Sequence, residues 1–121
     1  MRTLLLVGLG GGAGSICRWL MAAWVARQFR AVYPWGTFAV NIVGCLVIGL
    51  LVGVLERHAG HSQLRALFVT GFCGGYTTFS TFAAENVALL EGGHWFTAAL
   101  YTVGSVLTGL AAVWAGLALS R

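Results

Sequence analysis

Residues Gly71–Phe82 read Gly-Phe-Cys-Gly-Gly-Tyr-Thr-Thr-Phe-Ser-Thr-Phe, in the middle of a chain whose other long segments are strongly apolar. Two adjacent glycines followed by two threonines predict an interruption in what would otherwise be a membrane-spanning helix. An interrupted helix exposes backbone amides and carbonyls at membrane depth, where they are tolerated only if protein buries them or if they line a polar cavity. We therefore expect this stretch to contain the working part of the protein.

The composition indicates a small membrane protein. Of the 121 residues, 59% are hydrophobic and only 8% are charged, whereas an ordinary soluble domain carries about 25% charged residues. The length leaves room for a single transmembrane domain, residues 1–121. The net charge of +4 comes from scattered arginines, and because no run of them could follow a nucleic-acid backbone, nucleic acid is not an expected partner.

Four segments are long and apolar enough to cross a hydrocarbon core, which needs about 20 helical residues. They cover residues 4–26, 36–55, 64–90 and 95–119, and the third contains the predicted break. The expected fold class is therefore an all-α membrane protein with four transmembrane helices, of which the third is broken. Such a chain would be a multi-pass protein in contact with the lipid bilayer.

The arginines are only weakly biased toward one side of the membrane. Four spans put both termini on one side, where four arginines lie against two on the other: Arg2, Arg57, Arg65 and Arg121 against Arg27 and Arg30. Since the positive-inside rule sets orientation through this bias, the sequence permits insertion in both directions. It thus permits an antiparallel homodimer but does not require one.

Polar side chains inside the predicted spans are neutral, apart from Arg18, Glu85 and Arg65 at the very start of the third span. Polar groups in lipid usually face the bundle interior or a water-filled cavity, and the Asn41 amide has four hydrogen-bonding positions to satisfy. Arg18 and Glu85 do not lie at the expected midplane of the membrane. Water-filled vestibules nearer the membrane surface could therefore hold their charges. A neutral interior rich in donors could bind an anion without trapping it, as conduction requires.

Phe79 and Phe82 are three residues apart and share one face of the third span. Their spacing is compatible with plain packing against lipid or protein. It is also compatible with a contact to a small anion, because the edge of a phenyl ring is electropositive.

The motif Gly8–Ala13 fits a dinucleotide-binding fingerprint, but the expected soluble βαβ unit and the acidic residue about 20 positions later are missing from the sequence. We interpret most glycines as sites of close helix packing in the membrane. The sequence shows no nucleophile–base pair and no cluster of metal-ligating side chains, so an enzyme is not expected.

Three motifs together make the chain resemble the CrcB/Fluc family of small fluoride channels over essentially its whole length. They are Gly11–Gly14 with Arg18, Gly36–Asn41 with Gly44, and Gly71–Phe82. The resemblance implies a dual-topology antiparallel homodimer with two fluoride pores, in the plasma membrane of a bacterium (the inner membrane, if Gram-negative). It also implies a structural sodium ion at the centre of the dimer, bound by the backbone carbonyls of Gly74 and Thr77 from both subunits.

The resemblance further assigns the residues along the pore. The expected fluoride path comprises Asn41, Phe79, Phe82, Ser80, Thr81, Tyr101 and Ser105, and Arg18 and Glu85 would belong to the vestibule region. Family members often continue the hydroxyl track of the fourth span by one more turn. Here that position is Gly109, so water or a backbone group would take the place of the hydroxyl.

The expected function is passive, fluoride-selective efflux that reduces cytoplasmic fluoride toxicity. One alternative is a proton-coupled exporter of the small multidrug-resistance type, which is also short and four-spanning but uses a membrane-embedded glutamate in its first span. The first span here contains no acidic residue. Another alternative is a structural subunit or assembly factor that transports nothing.

Overall fold

The protein is all-helical, with four spans and an interrupted third. The computed structural model describes residues 1–57 and 60–121, and every regular element within these ranges is a helix. In chain order they are α1 (Arg2–Gln28), α2 (Trp35–Glu56), α3 (Ser62–Leu64), a π-helix (Arg65–Cys73), α4 (Gly74–Tyr76), α5 (Phe79–Glu91) and α6 (Trp95–Ser120). The predicted all-helical fold with a broken third span is thus confirmed.

Helices α1, α2 and α6 are unbroken, contain 27, 22 and 26 residues, and are long and apolar enough to cross a membrane. Large apolar side chains cover the outside of the bundle, for example Leu9, Trp114 and Leu119, which are 69%, 73% and 77% exposed. In water this surface would be strongly unfavourable, whereas in lipid it is the expected outer face. The protein is therefore a multi-pass membrane protein.

The break lies at the two threonines and not at the two glycines. Thr77 (φ −82°, ψ 157°) and Thr78 (φ −148°, ψ 110°) are both extended, while Gly74 and Gly75 remain in the helical turn α4. A new helix starts immediately afterwards, because the Thr78 hydroxyl accepts a hydrogen bond from the backbone N–H of Thr81 at 3.2 Å. A threonine in this N-cap position stabilises a helix start by about 1 kcal/mol.

Glycines bring the first span into backbone contact with the first half of the third span. A Cβ atom on Gly10 or Gly14 would collide with the backbone at Leu67 or Phe72, and one on Gly75 would collide with the backbone of Gly11. Small residues allow this close approach in lipid. Gly10 and Gly14 in the first span therefore serve close helix packing, whereas Gly8 and Gly12 face open space.

Helices α2 and α6 pack in the same way. A Cβ atom on Gly49 would collide with the Val113 carbonyl, and one on Gly116 would collide with the Leu46 carbonyl. Near the helix ends the Arg121 guanidinium lies 3.0 Å from the Glu56 carboxylate. Both side chains are well exposed, so this ion pair is worth at most about 1 kcal/mol, and the glycine contacts carry most of the packing.

The second half of the third span packs on α6 instead of α1. Leu89, Ala98 and Tyr101 form a buried cluster there, with Phe82 against it. The two halves of the third span therefore lie on different neighbouring helices. The extended residues Thr77 and Thr78 connect them, and this arrangement positions the candidate site.

Candidate functional site

A groove of about 470 Å³ runs along the break and is referred to below as the central groove. Among the residues that the structure describes, those lining this groove are all uncharged: Asn41, Gly44, Cys45, Ile48, Val69, Thr70, Cys73, Gly74, Thr77, Thr78, Phe79, Phe82, Ser105 and Val106. The groove therefore brings together six of the residues predicted for the pore and the cation site: Asn41, Phe79, Phe82, Ser105, Gly74 and Thr77.

Asn41 on α2 holds the break by a two-way hydrogen bond to the backbone of Thr78. Its side-chain Oδ1 accepts from the Thr78 N–H at 2.8 Å, and its Nδ2 donates to the Thr78 carbonyl at 3.2 Å. An extended residue has no helical partner for either group, and each unpaired group would cost about 1–3 kcal/mol if buried. Asn41 thereby stabilises the break and still has a second N–H on Nδ2.

The same hydrogen bonds release the carbonyls of Gly74 and Thr77. In a continuous helix, the N–H groups of Thr78 and Thr81 would bond these two carbonyls. Instead, Thr78 N donates to Asn41 and Thr81 N donates to the Thr78 hydroxyl. Gly74 is also exposed, and a Cβ built on it meets nothing within 4 Å. Both carbonyls therefore fit the carbonyl ligation of a hard cation such as sodium.

Phe79 and Phe82 form one wall of the central groove, with their ring centroids 5.8 Å apart. The two rings differ in their support. Phe82 packs on Tyr101 with a centroid distance of 4.9 Å, whereas Phe79 is 79% exposed. Phe82 is thus fixed by packing within the chain, and Phe79 has most of its surface free for other contacts.

Ser105 supplies a free hydroxyl on the α6 side of the central groove. Its Oγ is buried and makes no hydrogen bond to any residue that the structure describes. Buried polar groups are usually satisfied, so this hydroxyl is suited to a ligand or water. One turn further along α6, Gly109 is buried, and a Cβ there would lie 3.4 Å from Cys45 Sγ. Position 109 faces α2. Because glycine has no side chain, the series of hydroxyls on α6 ends at Ser105 on this face.

Ser80 and Thr81 lie at the start of α5, but their hydroxyls contact Thr78. The Thr78 Oγ1 lies 3.0 Å from the Thr81 Oγ1 and 3.4 Å from the Ser80 Oγ. Both predicted pore residues are exposed. Thr78 is the centre of this hydroxyl cluster, although it is not among the site residues expected from the sequence.

Glu85 lies near the middle of α5, about two turns after Phe79, and accepts two hydrogen bonds. Thr37 Oγ1 donates to its Oε1 at 2.6 Å, and Tyr101 Oη donates to its Oε2 at 2.8 Å. Thr37 is 7% exposed and Tyr101 is fully buried, so the carboxylate is anchored to α2 and α6. Tyr101 therefore stands behind Phe82 and beside Glu85, and it does not line the central groove.

A second groove of about 330 Å³, the mouth groove, leads from Glu85 and Thr37 to the connection between α1 and α2. It is lined by Ala22, Ala26, Phe29, Arg30, Ala31, Tyr33, Pro34, Trp35, Gly36, Thr37 and Glu85. Glu85 thus lies in a vestibule-like space, but Arg18 is not among the lining residues. Burial raises the pKa of the Tyr33 phenol above its ordinary value of about 10, so this side chain adds no charge to the groove at neutral pH.

Sequence reasoning missed Thr37, Thr78 and Arg30 as parts of these two grooves. One signal was visible: Thr37 lies four residues before Asn41 and so shares its helical face. The bonding of Thr78 to Asn41 depends on the break itself, which sequence spacing does not specify. Arg30 lies outside the spans, where the sequence offered no reason to connect it with Glu85.

A small multi-pass helical bundle with an uncharged, hydrogen-bonding groove at a broken helix defines a membrane protein of the channel and transporter class. The sequence profile of the family described as CrcB-like protein, Camphor Resistance (CrcB), matches residues 5–117. The chain belongs to the CrcB family.

Full-length relatives carry a more specific name. A protein of Nitratidesulfovibrio vulgaris is 44% identical over 122 residues, covering 100% of this chain and 98% of the relative. One from Rhizobium leguminosarum bv. trifolii is 46% identical over 118 residues, covering 97% and 94%. One from Phocaeicola vulgatus is 42% identical over 121 residues, covering 100% of both. Each is named fluoride-specific ion channel FluC.

Proposed function

We propose that this protein is a fluoride-specific ion channel that lets fluoride leave the cell passively and so reduces its toxicity in the cytoplasm. Similarity to channels of that name over the whole chain supports this function. The structural observation that carries it is the uncharged central groove with the free Ser105 hydroxyl. The proton-coupled alternative lacks support, because α1 contains no acidic residue that could carry a proton through the membrane.

The fluoride path is proposed to run along the central groove toward Glu85. Asn41 and Ser105 would donate hydrogen bonds, the rings of Phe79 and Phe82 would present their positive edges, and Ser80, Thr81 and Tyr101 would extend the series of hydroxyls. Each donor is neutral, so none holds the ion as tightly as a fixed cation would. The bond from Tyr101 to Glu85 implies that fluoride must compete with the carboxylate for this hydroxyl.

A second copy of the chain, antiparallel to the first, is proposed to cover the central groove. Free carbonyls at membrane depth must be buried by protein or must line a polar cavity. Exposed Gly74 and the 79% exposed Phe79 therefore favour a protein partner on this face. The weak arginine bias of the sequence permits the opposite orientation that such a partner needs. Two pores would then flank the common axis.

Fluoride flux from liposomes tests the channel function. Purified protein reconstituted into fluoride-loaded vesicles should release fluoride to an external electrode once a potassium ionophore removes the opposing potential. Vesicles loaded with chloride should release little. Protein-free vesicles and a known channel serve as the negative and positive controls. Absence of fluoride release from a correctly folded sample would disprove the proposal.

A structural sodium ion is proposed at the dimer axis, held by the carbonyls of Gly74 and Thr77 from each copy. Because the ligands are backbone atoms, the informative variable is the cation in the buffer and not a side-chain substitution. At a sodium concentration about 100 times its Kd, bound sodium should stabilise the fold by about 2.7 kcal/mol. We expect the Tm of the purified dimer to be higher in sodium than in choline chloride of equal ionic strength; equal Tm values would contradict the site.

A further inference from the structure

Arg30 is the cationic residue of the mouth groove. The groove has two charged lining residues among those the structure describes, Arg30 and Glu85. Arg30 is exposed in the connection between α1 and α2, and the salt bridge found within residues 1–57 and 60–121 joins Arg121 to Glu56, not Arg30 to Glu85. The guanidinium is therefore free to act on an ion that enters the groove.

Glu85 presents a problem for any anion that passes through this groove. Its carboxylate is held in place by the hydroxyls of Thr37 and Tyr101 at 2.6 and 2.8 Å. Those bonds stabilise the charge but do not remove it, so an anion that approaches Glu85 through the mouth groove is repelled. Two unit charges about 4 Å apart interact by about 1 kcal/mol in water and by about 4 kcal/mol near a protein surface. A positive charge on the same approach would offset this repulsion.

The walls of the mouth groove strengthen that effect. Phe29, Tyr33 and Trp35 are aromatic, and the rings of Phe29 and Trp35 lie tilted against each other with a centroid distance of 6.0 Å. Walls of low dielectric constant screen a charge less than water does, so the positive charge of Arg30 acts more strongly on an anion in this groove than it would in open solvent. Arg30 therefore stands at the outer end of a short aromatic passage with Glu85 at its inner end.

We propose that Arg30 concentrates fluoride at the mouth groove and offsets the charge of Glu85, so that it sets the rate at which the ion enters and leaves this end of the pore. The inference rests on the proposed channel function. It concerns a residue outside the spans that touches neither the central groove nor the hydroxyl series.

Arg30→Gln compared with Arg27→Gln tests this role. Both substitutions remove one positive charge from the same face of the membrane, but Arg27 lies in the last turn of α1 and does not line the groove. At an ionic strength of about 0.01 M, where the Debye length is about 30 Å, fluoride flux through Arg30→Gln should fall about three- to tenfold. At about 1 M, where the Debye length is about 3 Å, the difference should nearly disappear.

Further comparisons make the result specific. Arg30→Lys keeps the charge and should keep most of the flux. Arg27→Gln should lose clearly less flux than Arg30→Gln at about 0.01 M, where its charge still acts over about 30 Å, and should resemble the wild type at about 1 M. Equal losses of fluoride flux in Arg30→Gln and Arg27→Gln would overturn the proposal, because they would indicate a general surface potential. A loss of flux in Arg30→Gln that is the same at both ionic strengths would also overturn it, because it would indicate a structural role for Arg30. A wild-type protein without flux would instead refute the channel function, and the inference with it.

Discussion

Replacing Asn41 with aspartate should lower fluoride flux by about a hundredfold or more. Two effects combine in this variant. The aspartate has no N–H to donate, so the Thr78 carbonyl loses the bond that Nδ2 makes at 3.2 Å and faces a carboxylate oxygen instead. The ionised carboxylate also puts a fixed negative charge in an otherwise uncharged groove. At an effective dielectric constant of about 20, an anion about 4 Å away is repelled by about 4 kcal/mol.

The control for this variant is Gln63→Glu. It makes the same amide-to-acid change at an exposed position in α3, outside the central groove, so flux should stay close to that of the wild type. Fluoride release from liposomes measures flux, and size-exclusion chromatography of the same sample shows whether the assembly is intact. Wild-type flux through an intact Asn41→Asp protein would remove Asn41 from the proposed ion path.

Truncation of the two rings in the groove should separate conduction from stability. We expect Phe79→Ala and Phe82→Ala each to lower flux at least about tenfold, since both remove a ring edge that can face the ion. The variants should differ in Tm. Phe82 packs on buried Tyr101 at 4.9 Å, so its loss should destabilise the subunit by about 1–3 kcal/mol, below the range for a fully buried phenylalanine. Phe79, which is 79% exposed on the subunit, should show a smaller change.

Two further variants distinguish ring electrostatics from bulk. Phe96→Ala removes a ring that is 81% exposed and lies outside the central groove, and it should leave flux unchanged. Phe79→Leu keeps an apolar side chain but removes the positive ring edge, so its flux should stay low. Full flux through Phe79→Leu would mean that the ring acts only by filling space. Full flux through both alanine variants would refute the assignment of the rings to the pore.

The sequence predicted the helical fold because membrane spans depend on length and apolar composition, which can be counted directly. It also predicted an interruption in the third span, at two glycines followed by two threonines. Within that stretch the glycines Gly74 and Gly75 stay helical. The chain leaves the helix at Thr77 and Thr78, where Asn41 and the Thr78 hydroxyl provide the hydrogen bonds that the helix gives up.

Other features lay beyond sequence reasoning. Nine residues of the third span, Arg65–Cys73, form a π-helix, and no pattern of residue types signals this geometry. The two oxygens of Glu85 are shared between Thr37 on α2 and Tyr101 on α6, an arrangement that depends on the packing of three separate helices. The spacing of residues along one helix indicates a common face, but it does not tell which side chains from other helices will meet that face.

The glycine contact between α1 and the first half of the third span has a consequence for the entropy of assembly. At Gly10, Gly14 and Gly75 the surfaces that meet are backbone, and glycine has no side-chain rotamers to lose. Burying a lysine, methionine or glutamine costs up to about 2 kcal/mol in lost rotamers, whereas burying glycine costs none. These two spans can therefore associate without freezing side chains, and for the same reason no change of rotamer can relieve a methyl group added at any of the three positions.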